Sequence, residues 1–126
     1  MQVLETCLYA RDLEAARRFY EGVLGLVCFR FDPPRQAFFR AGDGVLLLFN
    51  PEETNKPGPL PPHGAWGSVH VCFRISEEEL DSWRERLAQA GLEVEEASWP
   101  GGARSLYVRD PAGNLVELAP ARIWGL

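Results

Sequence analysis

Glu5-Thr-Cys-Leu-Tyr-Ala-Arg-Asp12, followed by a helical pattern and Leu24-Gly25-Leu26, returns later as His70-Val-Cys-Phe-Arg-Ile-Ser-Glu77, a second helical pattern and Ala90-Gly91-Leu92. Each copy closes with a turn and an apolar strand: Gly42-Asp43-Gly44 into Val45–Leu48, and Ala112-Gly113-Asn114 into Leu115–Leu118. Two copies of one supersecondary unit are expected to pack about a pseudo-twofold axis, so that matched positions meet near the middle. The matched positions are Glu5 with His70, and Leu47 with Glu117. All but Leu47 carry side chains that bind metals.

Local signals place the elements. In the first copy a strand is expected over Val3–Ala10. Asp12 serves as helix N-cap, and Ala15, Ala16, Phe19 and Tyr20 form one apolar helical face. Strands follow at Val27–Phe31, Ala37–Arg40 and Val45–Phe49, with turns at Asp32-Pro33-Pro34 and Gly42-Asp43-Gly44. Residues 51–68 hold five prolines and three glycines, which predicts a connection without a packed element. The second copy opens with a strand at Val69–Ile75. Ser76 and Glu79 make a capping-box pattern, Leu80, Trp83, Leu87 and Ala90 the buried helical face, and Gly91 the stop. Strands at Leu92–Glu95, Ser105–Arg109 and Leu115–Ala119 complete it. The expected fold is α+β: two tandem βαβββ units, 1–50 and 69–126, joined by the 51–68 linker into a single 1–126 domain. Their strands would form a mixed, curved sheet with helices outside and a concave site inside.

The chain has 126 residues, 46% hydrophobic and 25% charged, with a net charge of −5. That acidic balance argues against nucleic-acid binding, which needs clustered Lys and Arg. Apolar runs such as Val45–Phe49 are far shorter than the roughly 20 residues that span a bilayer. Glu5 stands where a signal peptide would be basic and then apolar. Cys7, Cys28 and Cys72 are odd in number and lack a C-x-x-C pair. They read as reduced, buried thiols of a cytoplasmic protein.

Strand parity defines the site. In Val69–Ile75 the odd positions are apolar and pack beneath the helix, turning His70, Cys72 and Arg74 to the other face. The same alternation sends Leu106 and Val108 to the helix side and Ser105, Tyr107 and Arg109 away from it. Val116 and Leu118 go inward, and Glu117 shares the far face. Glu5 has the corresponding parity in the first strand. Two carboxylates converging with an imidazole repel each other, and a divalent cation relieves that repulsion. Such hard donors suit Mn, Fe, Ni, Co or Zn. Leu47, Phe38 and Trp66 are candidate walls for a substrate, Arg40, Arg74 and Arg104 candidate anion partners, and Ser105 and Tyr107 candidate polar contacts. His63 reads either as an exposed linker residue or as part of a lid.

Asp12-Leu13, Phe19-Tyr20, Leu24-Gly25-Leu26, the His70 strand and Asp110-Pro-Ala-Gly-Asn-Leu-Val-Glu117-Leu together resemble the vicinal oxygen chelate superfamily. That superfamily includes glyoxalase I, fosfomycin and bleomycin resistance proteins and extradiol dioxygenases. The resemblance spans essentially the whole chain and implies that Glu5, His70 and Glu117 are metal ligands. Leu47 falls where glyoxalase I-like members carry a fourth ligand, a Glu, so at most three remain. It implies a metal-dependent lyase or isomerase acting on a small oxygen-chelating substrate, with Glu117 or Glu5 moving a proton. The alternative is a non-catalytic binding protein of the drug-sequestering type. Ring-cleaving dioxygenase chemistry fits less well, since it uses two His and one carboxylate. A homodimer is the expected assembly.

Overall fold

The alternation in Glu5-Thr-Cys-Leu-Tyr9 becomes strand β1 (Glu5–Tyr9), with Leu8 buried and Glu5 exposed. β1 pairs in parallel with β4 (Gly44–Phe49), and β4 pairs antiparallel with β3 (Gln36–Ala41). β3 continues antiparallel to β2 (Val27–Asp32), giving the order β1-β4-β3-β2. In this computed structural model, which describes residues 1–126, the first compact unit is Met1–Val69 with Pro111–Asn114. The second is His70–Asp110 with Leu115–Leu126.

In the first unit Asp12 caps helix α1 (Leu13–Arg17), its Oδ1 accepting the Ala15 N–H at 2.9 Å. The expected α-helix does not continue unchanged. Residues Arg18–Val23 form a π-helical turn, with the Leu24 N–H reaching back five residues to Phe19 O at 3.1 Å. Gly22 and the β-branched Val23 favour the α-form weakly, and the wider turn lets the adjacent Phe19 and Tyr20 both be buried. Tyr20 meets Phe39 of β3 at 5.6 Å between ring centroids. Ala16, Leu46 and Leu48 complete this core without exposure.

The linker also departs from expectation. Pro51–Thr54 form a short helix, α2, with Asn50 accepting the Glu52 N–H and Pro51 at a first-turn position that needs no donor. Pro51 and Thr54 are buried. The turn at 111–114 belongs to this unit through Asn114, which is fully buried. Its side chain donates to Tyr9 O at 3.1 Å and accepts the Val69 N–H at 3.2 Å.

The second unit repeats the plan. β5 (His70–Arg74) pairs in parallel with β8 (Leu115–Ala119), which is antiparallel to β7 (Arg104–Arg109), itself antiparallel to β6 (Glu95–Ser98). The order β5-β8-β7-β6 duplicates the first sheet, so each unit builds its own four-stranded mixed sheet. Helix α3 (Leu80–Gln89) buries Leu80 and Leu87, whereas Trp83 is half-buried beneath Arg86 and Ala90 is exposed. Only half of the capping box forms: the Ser76 N–H donates to Glu79 Oε2 at 2.9 Å, while the Ser76 hydroxyl goes to Glu78. The helix therefore starts at Leu80 after a turn. Gly91, at φ +80°, closes it as expected. The Gly91 and Leu92 N–H groups are spent on Ala88 O and Leu87 O, so β6 begins at Glu95 and not at Leu92.

Leu87→Ala removes a side chain with no exposure and is expected to cost about 2–5 kcal/mol in urea denaturation. Leu60→Ala, 70% exposed, should stay within about 0.5 kcal/mol of the parent.

Candidate metal centre

The parallel register of β5 with β8, and the antiparallel register of β8 with β7, set side chains abreast. Cys72, Glu117 and Tyr107 form one row, and His70, Leu115 and Arg109 the next. Val71, Val116, Leu106 and Leu118 take the opposite face as parity requires, three of them almost without exposure. Glu117 belongs to the polar row yet is only 5% exposed. A carboxylate so placed needs partners for both oxygens.

Both are supplied within the unit. The Tyr107 hydroxyl donates to Glu117 Oε1 at 2.8 Å. His70 Nε2 lies 3.2 Å from Glu117 Oε2. His70 Nδ1 is 3.1 Å from Leu115 O. A carbonyl only accepts, so Nδ1 donates to it, and Nε2 faces a carboxylate oxygen. Only a proton or a cation between these atoms makes that approach favourable.

The pair fits a divalent metal. Zinc-type nitrogen and oxygen ligands sit roughly 2.0–2.2 Å from the ion, so two at a right angle lie about 3 Å apart. The observed separation of 3.2 Å suits adjacent ligand positions. The Nδ1 bond to a backbone carbonyl is the outer contact that orients metal-binding histidines. The full triad does not appear as a cluster: no group of three or more His, Cys, Asp and Glu side chains is arranged to hold an ion. His70 and Glu117 come together in the second unit, and Glu5 stands on β1 of the first.

Neighbouring groups feel the buried anion. The Cys72 thiol is pushed up to about 12, by desolvation first and then by the Glu117 charge and hydrogen bond. Cys72 is exposed as a residue and Cys7 and Cys28 are half-buried, so none of the three is the buried thiol expected from its apolar strand context. All three are free. The Tyr107 hydroxyl is also raised, by desolvation and then by its bond to Glu117.

In the first unit the equivalent row is Cys7, Leu47 and Phe38. Leu47 is buried, and Glu5 raises the Cys7 thiol from the same face, second to desolvation. Phe38 sits in a run of ring contacts, Phe29–Phe38–Phe49–His63, with centroids 6.2, 5.3 and 4.8 Å apart. His63 is half-buried, its Nδ1 3.0 Å from the Tyr9 hydroxyl, which corrects the reading of it as a free linker residue. An unpaired His in a proline-rich stretch carries no sequence signal for that contact.

The remaining candidates are scattered. Arg40 stacks over Phe29 at 4.1 Å. Arg104 is paired with Glu96 and Asp81. Arg74 is exposed at the end of β5. Ser105 is fully buried and accepts the Trp99 indole N–H, so it does not offer its hydroxyl to a substrate. Trp66, 58% exposed, stacks with Arg11 at 4.6 Å and lines a separate cavity of about 270 Å³ with Tyr9, Asp12, Pro51 and Pro111.

Residues 2–118 match the family model of the Glyoxalase/Bleomycin resistance protein/Dioxygenase superfamily. The crystal structure of lactoylglutathione lyase from Agrobacterium tumefaciens superposes with a TM-score of 0.96 at 41% identity, covering 99% of this chain and 97% of that one. A virulence protein of Salmonella typhimurium is 30% identical over 122 residues, 89% of this chain and 78% of its own. Metallothiol transferase FosB of Bacillus licheniformis is 29% identical over 109 residues, 85% of this chain and 67% of its own.

The raised Cys72 thiol has a kinetic consequence, because the thiolate is the nucleophile. In metal-free protein at pH 8, iodoacetamide should modify Cys72 about tenfold or more slowly than glutathione. The rate should keep rising with pH toward about 12. Peptide mapping after timed labelling reads this out, and labelling as fast as glutathione contradicts it.

Proposed function

Because the chain belongs to the Glyoxalase/Bleomycin resistance protein/Dioxygenase superfamily, we propose that it is a metal-dependent enzyme of the lyase or isomerase type. Its substrate would be a small molecule that chelates through neighbouring oxygens. The observation that carries this reading is the His70 Nε2–Glu117 Oε2 pair at 3.2 Å, with Nδ1 committed to Leu115 O. That arrangement presents an imidazole nitrogen and a carboxylate oxygen to one point. His70 and Glu117 would hold Mn, Fe, Ni, Co or Zn, and Glu5 is the donor that the sequence pattern nominates to join them. When bound, such an ion supplies Lewis-acid stabilisation of negative charge on a substrate oxygen.

The protein's own groups divide the remaining work. Both Glu117 oxygens are engaged, by Tyr107 and His70. Of the two candidate carboxylates, Glu5 is exposed and is the one free to accept a substrate proton at its carboxylate oxygen. Leu47 and Phe38 offer an apolar surface for the uncharged part of a substrate. The same reading carries a cytoplasmic homodimer; no helix is long and apolar enough to cross a membrane.

A second reading has its own observation. The ring run Phe29–Phe38–Phe49 and the buried Leu47 on the first sheet suit a protein that binds an apolar molecule without transforming it.

Thermal denaturation separates the two. After dialysis against a chelator, one of Mn, Ni or Zn at about 100 times its Kd should stabilise the protein by about 2.7 kcal/mol. His70→Ala and Glu117→Gln should each abolish the gain, and Glu5→Gln should reduce it. No shift with any of these ions removes the enzyme reading and leaves the binding one.

A further inference from the structure

We propose that Tyr107 is a positioning residue. Its hydroxyl holds the Glu117 carboxylate so that Oε2, and not Oε1, is turned toward His70 Nε2 and the metal ion. The proposal rests on the reading of His70 and Glu117 as ligands.

The geometry is direct. Tyr107 stands opposite Glu117 across the β7–β8 pair, and its hydroxyl donates to Oε1 at 2.8 Å. With Oε1 tied, the carboxylate plane is set and Oε2 is left 3.2 Å from Nε2. A glutamate has three rotatable side-chain bonds and a broad terminal torsion. Without that bond, either oxygen or both could turn toward the ion.

The duplicated unit provides an internal comparison. At the same register the second unit has Cys72, Glu117 and Tyr107, and the first has Cys7, Leu47 and Phe38. The cysteine is kept in both copies. Where the carboxylate is replaced by Leu, the tyrosine is replaced by Phe. An aromatic ring alone fills this position on the first sheet, where Phe38 packs against Phe29 and Phe49. The hydroxyl is present where the carboxylate is present, hydrogen-bonding both Glu117 and Ser105, and is absent where the carboxylate is replaced by Leu.

Tyr107→Phe keeps the ring and removes the hydroxyl. The test measures Mn, Ni and Zn dissociation constants by competition with a chromophoric chelator, together with the Tm of the metal-free proteins. The expected result is a 10–100-fold weaker Kd, the usual effect of losing an outer partner of a metal ligand, together with a lower metal-free Tm, because the buried Glu117 carboxylate loses one of its partners. Wild-type affinity in the variant overturns the positioning role while leaving the metal site intact. Leu87→Ala, which lowers the metal-free Tm from a core position outside this row, should keep the wild-type Kd; an equal loss of affinity there overturns the positioning role, since reduced stability alone would then weaken binding. Failure of the wild type to bind any of the three ions is a different outcome: it removes the ligand reading, and the role of Tyr107 with it.

Discussion

A carboxylate that is almost withdrawn from solvent sits in the middle of β8, with one oxygen on a tyrosine hydroxyl and the other against an imidazole nitrogen. Burying a charge is unfavourable unless hydrogen bonds and an opposite charge replace its water. Glu117 is tolerated because three adjacent strands deliver its partners in one register. A slip of one residue in either ladder would turn Tyr107 or His70 to the apolar face and take one partner from the carboxylate. The inner-face residues Leu106, Val108, Val116 and Leu118 pin that register by burying themselves under the helix side. The core of the second unit and its polar face are therefore two consequences of one strand alignment.

The two units share a scaffold and differ in the row of side chains that each presents on it. Both units share a strand order and a parallel central pair. On the first sheet the row equivalent to that of the carboxylate holds Leu47 and Phe38, with aromatic rings around them. On the second sheet the row holds Cys72, Glu117 and Tyr107. One sheet presents an apolar row and the other a polar one, on the same strand order.

The architecture was legible because its signals are local. Strand alternation, the Asp12 cap and the Gly91 stop are each carried by a few neighbouring residues, and each appears where the pattern puts it. The departures have equally local causes that pattern reading underweights. A π-turn at Arg18–Val23 lets two adjacent aromatics be buried, and Asn50 with Pro51 starts a short helix inside a stretch that composition marks as a linker. Ser105 shows another limit. Parity assigns it to the polar face, but a Trp six residues earlier covers it.

The sequence by itself determined the duplication, the equivalence of Glu5 to His70 and of Leu47 to Glu117 within it, and the face of its own strand on which each residue lies. A two-residue strand period and short-range capping are enough for that. Tertiary structure decided which of these side chains touch. It joined His70 to Glu117, assigned Tyr107 to the carboxylate, tied His63 to Tyr9, and withdrew Ser105 from the surface. Those outcomes depend on register between strands far apart in the chain and on side-chain torsions. No local pattern encodes either.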